Sequence, residues 1–157
     1  MMRVIIGVVG AGECRRQWCE WAEEVGKGIA RLGAVLVCGG LGGVMEAAAR
    51  GARNEGGITV GILPGSRKNS ANPFIEIPIA TNMGHARNAI IAQSADGLIA
   101  VGGGFGTLSE IALALKMGKP VVALDPPVKI PGVIEARYPA EAVELVFEII
   151  KKGGDTV

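Results

Sequence analysis

Short apolar runs alternate with longer stretches in which apolar residues return every three or four positions. The runs Arg3–Val9, Ala34–Cys38, Thr59–Leu63, Phe74–Ile77, Gly97–Val101 and Pro120–Leu124 are the predicted strands. Most are apolar throughout rather than alternating, the pattern of strands covered on both faces. Between them the helical period predicts helices near residues 15–32, 44–54, 84–95, 107–117 and 139–151. Val143, Val146, Phe147 and Ile150 form one apolar stripe, and Leu108, Ile111, Ala112 and Leu115 another. In 84–95 the apolar residues (Ala86, Ala89, Ile90, Ile91, Ala92 and Ala95) spread around the helix instead. Such a helix is expected to be buried on more than one side, in the core or against a second subunit, which suggests a homodimer or higher homo-oligomer. The β-α alternation predicts a single α/β domain over 1–157, a doubly wound parallel sheet with helices on both faces. The polar segment Ser66–Pro73 reads as a loop at the edge of a site.

Glycines recur where strands give way to helices: GAGE at 10–13, GGLGG at 39–43 and GGGFG at 102–106. In an open parallel sheet these turns share the carboxyl edge, where ligands bind. Glycine lets a ligand approach the backbone closely, and the following helix offers unpaired N–H groups suited to phosphate. Gly10, Gly12, Gly40, Gly42 and Gly43 are therefore candidate ligand or phosphate contacts. The dinucleotide fingerprint GxGxxG fails in all three loops, where Arg15, Met45 and Thr107 hold its third glycine position. No acidic residue closes the second strand, and Gly118-Lys119 is followed by Pro120 rather than the hydroxyl residue of a P-loop. A nicotinamide oxidoreductase and a P-loop ATPase are both disfavoured.

Composition narrows the classes further. With 157 residues, 49% hydrophobic, the chain can bury a substantial core, and a net charge of +1 gives no sign of a nucleic-acid partner. No apolar stretch approaches the roughly 18–20 residues of a membrane span, and MMRVIIGVVGAGE reads as a strand entering a loop rather than a signal sequence. Three cysteines without CxxC spacing and a single histidine argue against a disulfide framework or a metal site and suit a reducing cytoplasm. Cys38, ending a buried strand, reads as a small apolar residue. Trp18 and Trp21 read as packing residues, while His85, Asn82, Glu13 and Glu46 each fit a cap, a helix-dipole or a solvated role as well as a ligand contact.

Glu110 has two readings. Thr107-Leu108-Ser109-Glu110 fits a T-x-x-E capping box, worth on the order of 1 kcal/mol. Its place above a phosphate-friendly loop equally suits a ligand contact, facing a sugar or base rather than the phosphate it would repel.

GGGFGTLSE resembles the PGGxGTxxE signature of the LOG ("lonely guy") family, long labelled lysine decarboxylases. Gly84-His85-Ala86-Arg87-Asn88 matches part of that family's M-H-x-R-K element, and CGGLGGVMEAAARGA resembles its glycine-rich segment opening the second helix. The resemblance runs from about Ile5 to Leu124. GHARN, GGGFGTLSE and ANPFIEIPI are most similar to the branch containing the molybdenum-cofactor carrier proteins. It implies a Rossmann-like, usually dimeric protein, and several members are phosphoribohydrolases that release a base from a nucleoside 5′-monophosphate. By that resemblance Arg87 and Glu110 stand at the catalytic positions, and Gly103, Gly104, Gly106 and Thr107 would hold the phosphate. The sequence departs from the family with Gly102 for the signature proline, Asn88 for the lysine, and Met83 one residue early. Two expectations follow. One is a protein that binds a phosphate-bearing, nucleotide-like ligand (a nucleotide or a molybdopterin-type molecule) and requires no other cofactor. The other is a phosphoribohydrolase. No lysine has a recognisable pyridoxal-phosphate setting, so decarboxylation is not expected.

Overall fold

The computed structural model describes residues 2–154. Seven strands form one sheet in the order β4-β3-β2-β1-β5-β6-β7, every neighbouring pair parallel. They are β1 (Ile5–Gly10), β2 (Val35–Cys38), β3 (Thr59–Leu63), β4 (Ile77–Ala80), β5 (Gly97–Val101), β6 (Val121–Leu124) and β7 (Ile134–Ala136). The helices are α1 (Arg16–Arg31), α2 (Val44–Asn54), α3 (Arg87–Ser94), α4 (Phe105–Lys116) and α5 (Pro139–Gly154). The apolar runs do what continuous runs should: all five residues of β5 and all four of β6 are buried. One core lies under α1, α2 and α5, with Ile6, Val25, Ile29, Leu36 and Val146 among its members. The other lies under α3 and α4, around Val9, Ile91, Leu98 and Ile111. This is the doubly wound, Rossmann-like α/β fold expected of the alternation. Among the described residues no helix is long and apolar enough to cross a membrane.

Three elements differ from expectation. The fourth strand begins at Ile77, where the sequence pattern ends it. Side-chain hydrogen bonds claim the residues before it: the Thr59 hydroxyl donates to Phe74 O at 2.6 Å, and the Phe74 and Glu76 amides donate to Asn72 Oδ1 and Thr59 Oγ1. Pro78, which has no N–H, is tolerated because β4 is an edge strand. The seventh strand carries no apolar run, being a three-residue edge with Ile134 and Glu135 exposed. The third is Cys14 and Cys19, which form a disulfide where no disulfide was expected. The chain's entry into α1 brings their Cα atoms within 5.7 Å despite the odd cysteine count.

Helices α1 and α2 meet through bare backbone. A Cβ on Gly26 would lie 1.9 Å from Ala48 O, and one on Gly51 2.0 Å from Glu23 O. Neither obstacle is a side chain that can rotate away. Gly26→Ala should therefore lower the unfolding free energy in urea by about 2 kcal/mol or more, despite alanine's better helix propensity. Gly12→Ala, whose Cβ would meet nothing within 4 Å, should leave it within about 0.5 kcal/mol.

Candidate functional site

The chain runs outward from β1 to β4 on one side, then crosses to β5 on the other, so the loops after β1 and β5 diverge at the carboxyl edge. Between them lies a cavity of about 460 Å³, within the range of small-molecule sites. Of the residues singled out in the sequence, Gly10, Gly12, Arg87, Gly103, Gly104, Gly106, Thr107 and Glu110 line it. Gly40, Gly42 and Gly43 are not among its lining residues. Gly40 packs on β3 at Leu63 and Gly61, while Gly42 and Gly43 brace the first loop: Gly43, at φ +66°, faces Ala11 O and Gly12 so closely that a Cβ would lie 2.3–2.5 Å away. The next amide, Val44 N–H, donates to Ala11 O at 3.0 Å. Gly39, Met45 and Asn88 line the cavity without having been singled out as contacts, and so does His85, for which a ligand contact was one of the readings. For Gly39 the signal was a strand ending on a residue with no side chain. A Cβ there would lie 2.8 Å from both Arg87 Nη2 and Met45 Sδ.

A larger hollow of about 970 Å³ lies at the opposite edge, between Met2–Ile5, Asp96, Pro120 and the end of α5. The only buried side-chain nitrogen or oxygen without a partner among the described residues is Arg87 Nε, in the smaller cavity. Polar chemistry therefore concentrates there.

A single helical turn at Gly84–Ala86 delivers Arg87 to the start of α3, where the side chain is only 8% exposed. Nη1 donates to the Asn88 side-chain oxygen. Asn88 Nδ2 donates in turn to Ser109 Oγ at 3.1 Å, and the Ser109 hydroxyl to Gly106 O at 2.7 Å. Burial pushes the guanidinium pKa down, while the nearby Glu110 pushes it back up.

Glu110 does not cap its helix. Helix α4 begins at Phe105, two residues before the expected start, with Gly104 as the N-cap and no side-chain cap bond. Thr107 is thus already inside the helix, and the capping box is not formed. The first intrahelical bond runs from Leu108 N–H to Gly104 O, so the amides of Phe105, Gly106 and Thr107 remain for an anion. One turn further on, Glu110 lines the cavity at 9% exposure, with no hydrogen bond or ion pair among the described residues. Burial pushes its carboxyl pKa up to about 7, against the opposing pull of Arg87. A carboxyl held near neutrality can give or take a proton at ordinary pH.

The loop that carries these amides is backed by Trp18. Gly102 adopts φ +55°, which proline cannot reach, so its departure from the family signature is a conformational requirement here. A Cβ on Gly102 would lie 2.4 Å from the Trp18 ring, whose Nε1 donates to Asp125 at 2.8 Å. Cys38 is a buried free thiol within electrostatic reach of Glu110 and Arg87; burial pushes its pKa to about 12, which leaves it inert as a nucleophile.

Glu110 yields a direct prediction. Its folded pKa stands above the ordinary value of 4.5, so stability is full while the carboxyl is protonated and is lost as pH rises from about 4.5 through about 7. Glu110→Gln should remove that loss and be the more stable form above pH 7, by on the order of 3 kcal/mol, in urea titrations across pH 4–9. A carbon-13 NMR titration of Glu110 should give a midpoint near 7, rising further in Arg87→Ala.

The geometry agrees with what the chain is similar to. An uncharacterised protein from Archaeoglobus fulgidus is 57% identical over 138 residues, covering 88% of this chain and 91% of its own. A cytokinin riboside 5′-monophosphate phosphoribohydrolase from Mycobacterium tuberculosis is 38% identical over 117 residues, covering 68% of this chain and 62% of its own, so the match leaves more than a third of that relative's length unspanned. The molybdenum cofactor binding protein of Rippkaea orientalis superposes with a TM-score of 0.91 at 40% identity, over 96% of this chain and 99% of that one. The Moco carrier protein of Chlamydomonas reinhardtii gives 0.88 at 39% identity with the same coverage. The model of the SLOG cluster4 family matches residues 3–150, and the chain belongs to that family.

Proposed function

We propose that this protein binds a small phosphate-bearing, nucleotide-like ligand at the carboxyl edge of its sheet, a reading supported by its likeness to proteins named as a Moco carrier and a molybdenum cofactor binding protein. The observation that carries the reading is a buried guanidinium with an unpartnered Nε beside an uncapped helix N-terminus. Both are donors without acceptors, and a phosphate monoester supplies oxygens to each. In this reading the amides of the first turn of α4, with Gly103, Gly104 and Thr107, hold the phosphate. Gly10 and Gly12 line the opposite wall, and Glu110 meets the hydroxyl-bearing or ring portion. A mononucleotide and a phosphorylated pterin share that phosphate end, and the site fits either there. No other cofactor enters the proposal. Function as one cytoplasmic domain, in a homodimer or larger homo-oligomer, belongs to the same proposal.

Glu110 favours a second reading. A buried carboxyl titrating near 7 beside a guanidinium has the character needed to assist water in cleaving an N-glycosidic bond, releasing a base and ribose 5-phosphate. The M. tuberculosis relative bears the name of that reaction. The two readings separate in one experiment. Purified protein is dialysed against 5′-AMP or adenosine, and the AMP samples are then analysed for free adenine and ribose 5-phosphate. The binding reading predicts at least about tenfold tighter retention of 5′-AMP than of adenosine, with no adenine released. Adenine release that disappears in Glu110→Gln would establish the hydrolase reading. Equal retention of both molecules would refute a phosphate site altogether.

A further inference from the structure

A guanidinium can meet a phosphate end-on through its two Nη groups or side-on through Nε and Nη2. In this structure the end-on edge is partly taken up, because one of the two N–H groups of Nη1 is used. That N–H is already committed to the Asn88 side-chain oxygen. Nη2 passes over Gly39, which has no side chain to crowd it, and Nε is buried without a partner among the described residues. The side-on edge is the part of Arg87 with both donor nitrogens unpartnered among the described residues.

The other end of the Asn88 amide reaches across to helix α4. Its Nδ2 donates to Ser109 Oγ at 3.1 Å, and Ser109 holds Gly106 O at 2.7 Å. Gly106 lies in the first turn of α4, among the amides that precede the first intrahelical bond. One short side chain, 5% exposed, thus ties the orientation of the cation to the peptide groups facing the same anion. A lysine at this position would bring a second cation but could not accept from Nη1. Asparagine gives up that charge and fixes the remaining one.

We propose that Asn88 is the positioning residue of the phosphate site. It holds Nη1 so that the Nε–Nη2 edge of Arg87 serves the ligand, and through Ser109 it keeps that edge in register with the first turn of α4. The site is thereby specialised for a terminal phosphomonoester, with two oxygens on one guanidinium edge and the third on helix amides. This rests on the binding reading above.

The test compares 5′-AMP with adenosine, two probes that differ only in the phosphate, by equilibrium dialysis on wild type, Asn88→Ala, Asn88→Asp and Ser109→Ala. Ser109 is exposed, so its variant reports even if a change at buried Asn88 impairs folding. Nitrogen-15 guanidinium NMR of each protein reads the Arg87 side chain directly. The expected result is a loss of about tenfold or more in 5′-AMP affinity for Asn88→Ala, a smaller loss for Ser109→Ala, and unchanged adenosine affinity in both. In Asn88→Asp the acceptor for Nη1 is kept, so the restricted Arg87 signal should persist while an added negative charge weakens 5′-AMP binding. In Asn88→Ala that signal should become mobile. A wild-type preference for 5′-AMP that survives both Asn88→Ala and Ser109→Ala would overturn the positioning role and leave the phosphate site standing. Wild type without any preference would overturn the phosphate site, and the positioning role with it. Equal losses for 5′-AMP and adenosine would show Asn88 to be merely structural and overturn the proposal.

Discussion

A guanidinium taken out of water must be repaid in hydrogen bonds, and the carboxyl edge of this sheet is organised around Arg87, whose repayment is incomplete. The side chain is 8% exposed, yet among the described residues only Nη1 has a hydrogen-bond partner, and Nε has none. Glu110 is near enough to raise the Arg87 pKa but does not bond it, and its own carboxyl is pushed towards neutrality. Closing these two groups into a salt bridge would satisfy both and leave nothing for a ligand. Holding them apart, each partly desolvated, keeps an anion-seeking edge beside a group that can trade a proton.

The fold supplies the separation. Arg87 arrives from the start of α3 and Glu110 from α4, two helices that cover the same core, beside the crevice opened where the chain crosses from β4 to β5. The glycines act as spacers with distinct tasks. Gly39 leaves room for the guanidinium, and Gly43 lets the second loop press against the first. Gly102 takes a conformation closed to proline and leaves its face to Trp18. That ring, fixed by Asp125, forms the wall behind the amides of α4. Farther out, α1 and α2 pack backbone to backbone at Gly26 and Gly51, holding the helix that carries Trp18 to the sheet.

Most of the architecture was legible because strands buried on both faces write themselves as unbroken apolar runs. The fourth and seventh strands were less so. Hydrogen bonds that Thr59 donates to Phe74 O and Asn72 accepts from the Phe74 amide delayed β4, and β7 is too short and exposed to leave a hydrophobic signature. Arg87 and Glu110 were found through motifs, but their physical character was not. The T-x-x-E spacing suggests a cap wherever the helix starts at Thr107, and only the observed start at Phe105 turns Glu110 into a buried, unpaired group. Gly40, Gly42 and Gly43 look like Gly103, Gly104 and Gly106 in sequence. Which glycines line a cavity and which brace a loop is decided by neighbours far along the chain. The Cys14–Cys19 pair was hidden for a related reason: an odd count says nothing about which two cysteines a helix start brings together.

The account makes the phosphate end of the ligand the fixed point and leaves the rest of the cavity to decide what is attached to it. Its most direct test is a two-dimensional proton–nitrogen NMR titration of the protein with 5′-AMP. The account predicts that the amides of Phe105, Gly106 and Thr107 and the Nε–H of Arg87 move together and saturate at one concentration. Their indifference, with shifts instead at Arg3–Ile5 and Asp96 around the opposite hollow or no shifts anywhere, would contradict it.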